Sequence, residues 1–146
     1  MKITIDSGDF VGPVAVTVAY FALWYSLLFG KQSRTKYRLL AKYKEEGKEF
    51  DRYTSNDPEM LAADRIVGNT HEQMVPFMVS MWLFAIFVSP FQATVLGGIY
   101  VVLRGIYPLL IGSHLSKAQP KRVFFVTGPC YLIIFSMLGI TLSSLF

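Results

Sequence analysis

Arg65, Asn69 and Glu72 stand at i, i+4 and i+7, immediately before Met74-Val75-Pro76-Phe77 and a long apolar run. On a helix that spacing puts all three polar side chains on one face. A second set, Tyr100, Arg104 and Tyr107, repeats the pattern inside another apolar segment. An ionisable group inside a membrane span costs roughly 2.5–3.5 kcal/mol on insertion scales, so such groups turn toward a bundle interior or a site. The chemistry on offer is recognition of an anionic ligand, to which a guanidinium offers a planar fork of donors. Two readings of Arg104 stand side by side. It pairs with Glu72 and holds two helices together, or it helps line a pocket for an anionic ligand.

The elements that carry these residues read as membrane spans. The chain has 146 residues, is 53% hydrophobic and has a mean hydropathy of +0.42, with its apolar residues gathered in blocks. A span needs about 20 apolar residues to cross roughly 30 Å of hydrocarbon. The uncharged blocks predict an all-α integral membrane four-helix bundle, one domain over residues 1–146, with spans at about 11–30, 70–88, 92–112 and 123–145. The residues before the first block (Lys2, Asp6, Asp9) are not the basic leader of a signal peptide, so that block is expected to be retained.

Basic residues set the expected orientation. Lys31, Arg34, Lys36, Arg38, Lys42, Lys44, Lys48, Arg52 and Arg65 follow the first span, and Lys117, Lys121 and Arg122 precede the last. The positive-inside rule then places loops 31–65 and 113–122 in the cytoplasm and both termini on the opposite side. Glu45, Glu46, Glu49 and Asp51 interrupt the first basic loop, which argues for contact with lipid head groups and against nucleic acid. The single cysteine, Cys130, reads as a packing residue, and His71 and His114 lack ligand spacing, so no metal site is expected. The aromatic residues Tyr20, Phe21, Trp24, Phe77, Trp82 and Phe84 read either as a lipid groove or as plain packing and lipid-facing surface.

Local signals mark the helix ends. Asp57-Pro58-Glu59 is a helix start, with Asp as cap and Pro at the first turn. From there a helix is expected to run from about residue 58 to 88, kinked at Pro76. Gly30 is expected to close the first span, Ser89-Pro90 to make a short outer turn, and Gly128-Pro129 to break or kink the last helix. Gly97-Gly98 should allow close helix packing.

The segment from Arg65 to Phe77, with its R-x-x-x-N-x-x-E pattern and following proline, resembles the second-helix signature of the MAPEG family, the membrane-associated proteins of eicosanoid and glutathione metabolism. Tyr100-x-x-x-Arg104-x-x-Tyr107 resembles that family's third helix, and Gln119-Pro120-Lys121-Arg122 the loop before its fourth. The resemblance implies a homotrimer of four-helix protomers that binds glutathione as co-substrate near the cytoplasmic face. Arg65, Asn69, Glu72, Arg104 and Tyr107 would bind the tripeptide, and Arg122 would be the catalytic cation that favours the thiolate. Arg34 and Lys31 are weaker candidates for that cation. The implied activity is a glutathione S-transferase or peroxidase acting on hydrophobic or lipid electrophiles, without a metal. The alternative is a non-catalytic lipid- or partner-binding protein, or a structural subunit of a membrane complex, because some members of the family have the fold and no activity. The chain departs from the family pattern at Ile111 and Gln73, where relatives carry tyrosine or asparagine.

Overall fold

The computed structural model describes residues 6–114 and 121–146, so Lys2, Lys117 and Gln119-Pro120 lie outside the described residues. Among the described residues every element is helical: α1 (Val11–Leu27), α2 (Arg34–Glu45), α3 (Pro58–Glu72), α4 (Met74–Phe87), α5 (Pro90–Ile111) and α6 (Phe124–Leu145). They form four rods. A π-helical turn, Leu28–Ser33, joins α1 to α2, so helix runs unbroken through Gly30 where the sequence suggested an end. Residues Ser7–Glu45, Pro90–Ile111 and Lys121–Leu145 are each long and apolar enough to cross a membrane.

The remaining rod, α3–α4, is divided at Gln73, three residues before the expected kink. The cause is still Pro76. It has no N–H for the carbonyl four residues back, which belongs to Glu72, and its ring crowds that carbonyl. The Glu72 carbonyl is thereby left without its helical donor; two residues earlier the Thr70 carbonyl accepts from the Tyr20 hydroxyl (2.6 Å). Pro129, by contrast, does not divide its helix: α6 runs from Phe124 to Leu145 without interruption.

Packing follows small residues and a seam of period 3.5. The buried face of α5 is Ala93, Gly97, Tyr100, Arg104, Tyr107 and Ile111, alternating steps of four and three. The polar stripe seen in the sequence is thus the continuation of an interior seam. α1 lies along α5 in the same direction. A β-carbon on Gly97 would meet Val16 Cγ1 at 2.8 Å and Met81 Sδ at 3.0 Å, and one on Gly12 would collide with Thr94. Between lipid-solvated helices such close approach replaces the hydrophobic drive. Gly98 faces open space and takes no part.

An aromatic stack fills the centre. Phe77 and Tyr100 lie nearly parallel with ring centroids 3.9 Å apart, and Tyr20 tilts against Phe77 at 5.3 Å. Tyr20, Phe77 and Phe84 are fully buried, so half of the aromatic set singled out in the sequence is interior packing, not a lipid groove. A second small core of Leu39, Met60 and Ala63, with Tyr43 and Phe50, docks α2 onto the start of α3. Asp57 caps α3 as expected, accepting from the Glu59 and Met60 amides at 2.8 and 3.2 Å. Asp64 ties that end down through Arg52 (2.9 Å) and Gln32 (2.6 Å).

Candidate functional site

The polar strip of α3 is built from the middle of that helix outward. Arg65 and Glu72 are exposed and Asn69 is half-buried between them. At 1.5 Å rise, seven residues separate the two charges by about 10 Å along the axis. That matches an extended tripeptide, which spans at most about 10 Å. Cation, amide and anion follow one another on a single face.

Arg104 approaches from behind. Its side chain is 0% exposed, and its Nη2 donates to Asn69 Oδ1 at 2.8 Å and to Thr70 Oγ1 at 3.3 Å. The guanidinium lies over the Tyr107 ring, 4.6 Å from its centroid. A guanidinium only donates, so it fixes the Asn69 amide with oxygen inward and the NH2 group outward. Asn69 therefore presents donors to whatever lies on the strip. No ion pair joins Arg104 to Glu72 among the described residues; the interhelix contact runs through Asn69 instead. Arg104 Nε and Nη1 and the Tyr100 hydroxyl are buried with no partner among the described residues. Cys130 is buried as expected and neighbours the same guanidinium.

Tyr107 is buried, its ring under the Arg104 guanidinium. Asn69, Arg104 and Tyr107 are thus brought into one chain of contacts, and Arg65 and Glu72 stand on either side of Asn69 along the α3 face. Arg122 stands beyond the end of α5. Its Nε donates to the Leu110 carbonyl at 3.0 Å, close to where Gly112, at φ +80°, ends the helix. A cation at that point satisfies an orphan carbonyl and suits the negative end of the helix dipole.

The strip is an open surface in one protomer. A cavity of about 610 Å³ lies elsewhere, at the end of α2, among Leu40, Lys44, Phe50 and their neighbours. The four best-formed cavities are lined by residues other than Arg65, Asn69 and Glu72. Among those residues no group of three or more His, Cys, Asp or Glu side chains gathers at one point.

Three residues have contacts that the sequence did not foretell. Thr70 and Tyr20 brace the α3 end, and Gln73 crosses to Tyr131 of α6 at 2.9 Å. The last pair is separated by 58 residues, and nothing in the sequence links them.

The family model described as MAPEG family matches residues 12–143. A protein of Synechocystis sp. described only as uncharacterized is 25% identical over 121 residues, covering 82% of this chain and 79% of that protein. No solved structure gives a significant match.

Proposed function

This chain belongs to the MAPEG family and is an integral membrane protein, and from that premise we propose that it binds glutathione on the Arg65–Asn69–Glu72 strip and presents the thiolate to hydrophobic electrophiles from the bilayer. One observation carries the reading: a cation, an outward amide and an anion share the α3 face, with the amide locked by a buried guanidinium. Glutathione has two carboxylates and one ammonium. Arg65 suits a carboxylate in bidentate fashion, the Asn69 NH2 group suits a second acceptor, and Glu72 suits the ammonium. Arg104 is a positioning residue in this scheme, and the Tyr107 ring carries its guanidinium.

The thiol must ionise to react. A free cysteine thiol has a pKa of about 8.5, and a nearby cation lowers it. Two pKa units correspond to about 2.7 kcal/mol of thiolate stabilisation. Arg122 is the proposed source, from the loop side of the strip. The open strip is completed by a neighbouring copy in a homotrimer, and the α3–α4 rod is the fourth span of each protomer. Both basic loops face the cytoplasm in this proposal, and the electrophile enters sideways from lipid.

The contact between Arg122 Nε and the Leu110 carbonyl favours a second reading. With that group spent on capping α5, the protein would bind glutathione or lipid without activating a thiol. Calorimetric titration of the membrane-extracted protein with glutathione tests the binding claim. Glu72→Ala is expected to weaken affinity about tenfold or more, the value of a charged hydrogen bond. Glu45→Ala, on the exposed end of α2, is expected to change nothing; equal losses in the two variants would count against the assignment.

A further inference from the structure

Gln73 occupies the break between α3 and α4 and follows Glu72 directly. Gln73 is 8% exposed and reaches α6, where its Nε2 donates to the Tyr131 hydroxyl at 2.9 Å. That bond fills an acceptor site on the phenol oxygen. The phenol hydrogen has no acceptor among the described residues. Tyr131 is 41% exposed, stacks on Phe135 at 6.2 Å, and sits beside the exposed Leu132. One turn earlier, Gly128 has open space where a side chain would be. Gln73 Oε1 and Thr127 Oγ1, one turn from Tyr131 on the same helix, are buried and unpartnered among the described residues. A hydroxyl with a free proton therefore lies where the polar end of the strip meets apolar, lipid-facing surface.

We propose that Tyr131 is the acid of this site and serves a lipid-borne hydroperoxide. The inference rests on the glutathione reading above. The glutathione thiolate attacks the terminal peroxide oxygen. A sulfur–oxygen bond forms, the oxygen–oxygen bond breaks, and the inner oxygen departs as alkoxide, taking the Tyr131 proton. The products are an alcohol, glutathione sulfenic acid and the Tyr131 phenolate. A second glutathione condenses with the sulfenic acid to give the disulfide and water. The next glutathione thiol to bind returns a proton to the phenolate and becomes the thiolate of the following cycle. Gln73 is a positioning residue: its N–H holds the phenol oxygen and steadies the charge that develops there. Conjugation of a chloroarene releases chloride and takes up no proton, so it makes no use of this acid.

The test uses the full chain and compares reduction of cumene hydroperoxide with conjugation of 1-chloro-2,4-dinitrobenzene. Tyr131→Phe keeps the ring and its stacking. It is expected to lower kcat for hydroperoxide about 10²-fold, the usual contribution of a positioned acid, with glutathione affinity within about twofold of the parent. The ratio of hydroperoxide reduction to conjugation falls in step. Gln73→Glu, whose carboxylate accepts the phenol proton, is expected to lower the same ratio. An unchanged kcat in Tyr131→Phe overturns the proposal, and so does a parallel loss of both reactions, which marks a structural tie between α6 and the helix break. A parent protein that binds glutathione and conjugates but reduces no hydroperoxide overturns this inference alone. A parent that binds no glutathione overturns the functional reading beneath it.

Discussion

Arg104 sets the polarity of the proposed site from behind it, through Asn69. It is a fully buried cation whose contacts are an amide, a hydroxyl and an aromatic face, with no carboxylate bonded to it. Such a charge is a poor stabiliser, because breaking its hydration costs several kcal/mol that neutral partners only partly return. Arg104→Met is therefore predicted to leave thermal stability equal or higher while glutathione affinity drops, because Asn69 loses its fixed orientation. Melting and titration of the same sample check the split; a variant that loses both together would make Arg104 a structural lock. At Arg122 the prediction is spectroscopic. Adding glutathione should raise thiolate absorbance in the parent and not in Arg122→Ala, and binding retained with no rise in the parent would favour the non-catalytic reading.

Helix ends and contacts carry the next predictions. Gly97 sits where α5 meets Val16 and Met81, so Gly97→Val should destabilise the bundle by about 1–3 kcal/mol, whereas Gly98→Val, in open space, should be close to neutral in a chemical or thermal melt. Asp57 is partly buried, which opposes its charge, but the Met60 and Glu59 amides and the Tyr43 hydroxyl hold its carboxyl below the usual range. The cap is therefore present above the ordinary carboxylate pKa and fades as pH falls through the lowered value. Asp57→Ala should cost about 1 kcal/mol near neutrality and progressively less in acid, measured by melts across pH.

At this scale the sequence was legible where residue type fixes geometry and illegible where solvent quality did not change. Uncharged blocks marked the three helices long and apolar enough to cross a membrane, and Asp57-Pro58 marked the α3 start. Inside and outside of α1 and α6 could not be told apart, because a helix facing lipid is apolar all round. Tyr20, Phe77 and Phe84 were therefore free to be surface or core. The i, i+4, i+7 stripes gave the faces of α3 and α5, but not that Arg104 would choose Asn69 over Glu72. That choice depends on the depth at which the two rods cross. The Gln73–Tyr131 contact joins helices far apart in sequence and left no local trace.

At the scale of the whole molecule, an exposed polar strip on one face and apolar flanks elsewhere leave the proposed binding surface without a second wall among the described residues. Association into a homotrimer supplies that wall in the proposed scheme. The extracted protein is predicted to have the mass of three chains in native mass spectrometry, and to bind glutathione only in that state. A monomer that binds with full affinity would contradict the shared site. The most direct trial of the central claim is a structure determined with glutathione. The account predicts the tripeptide lying along α3, its carboxylates at Arg65 and the Asn69 NH2 group, its ammonium at Glu72 and its sulfur toward Arg122. Glutathione seated elsewhere, or an Arg65–Glu72 face filled by lipid or by another helix at saturating glutathione, would contradict it.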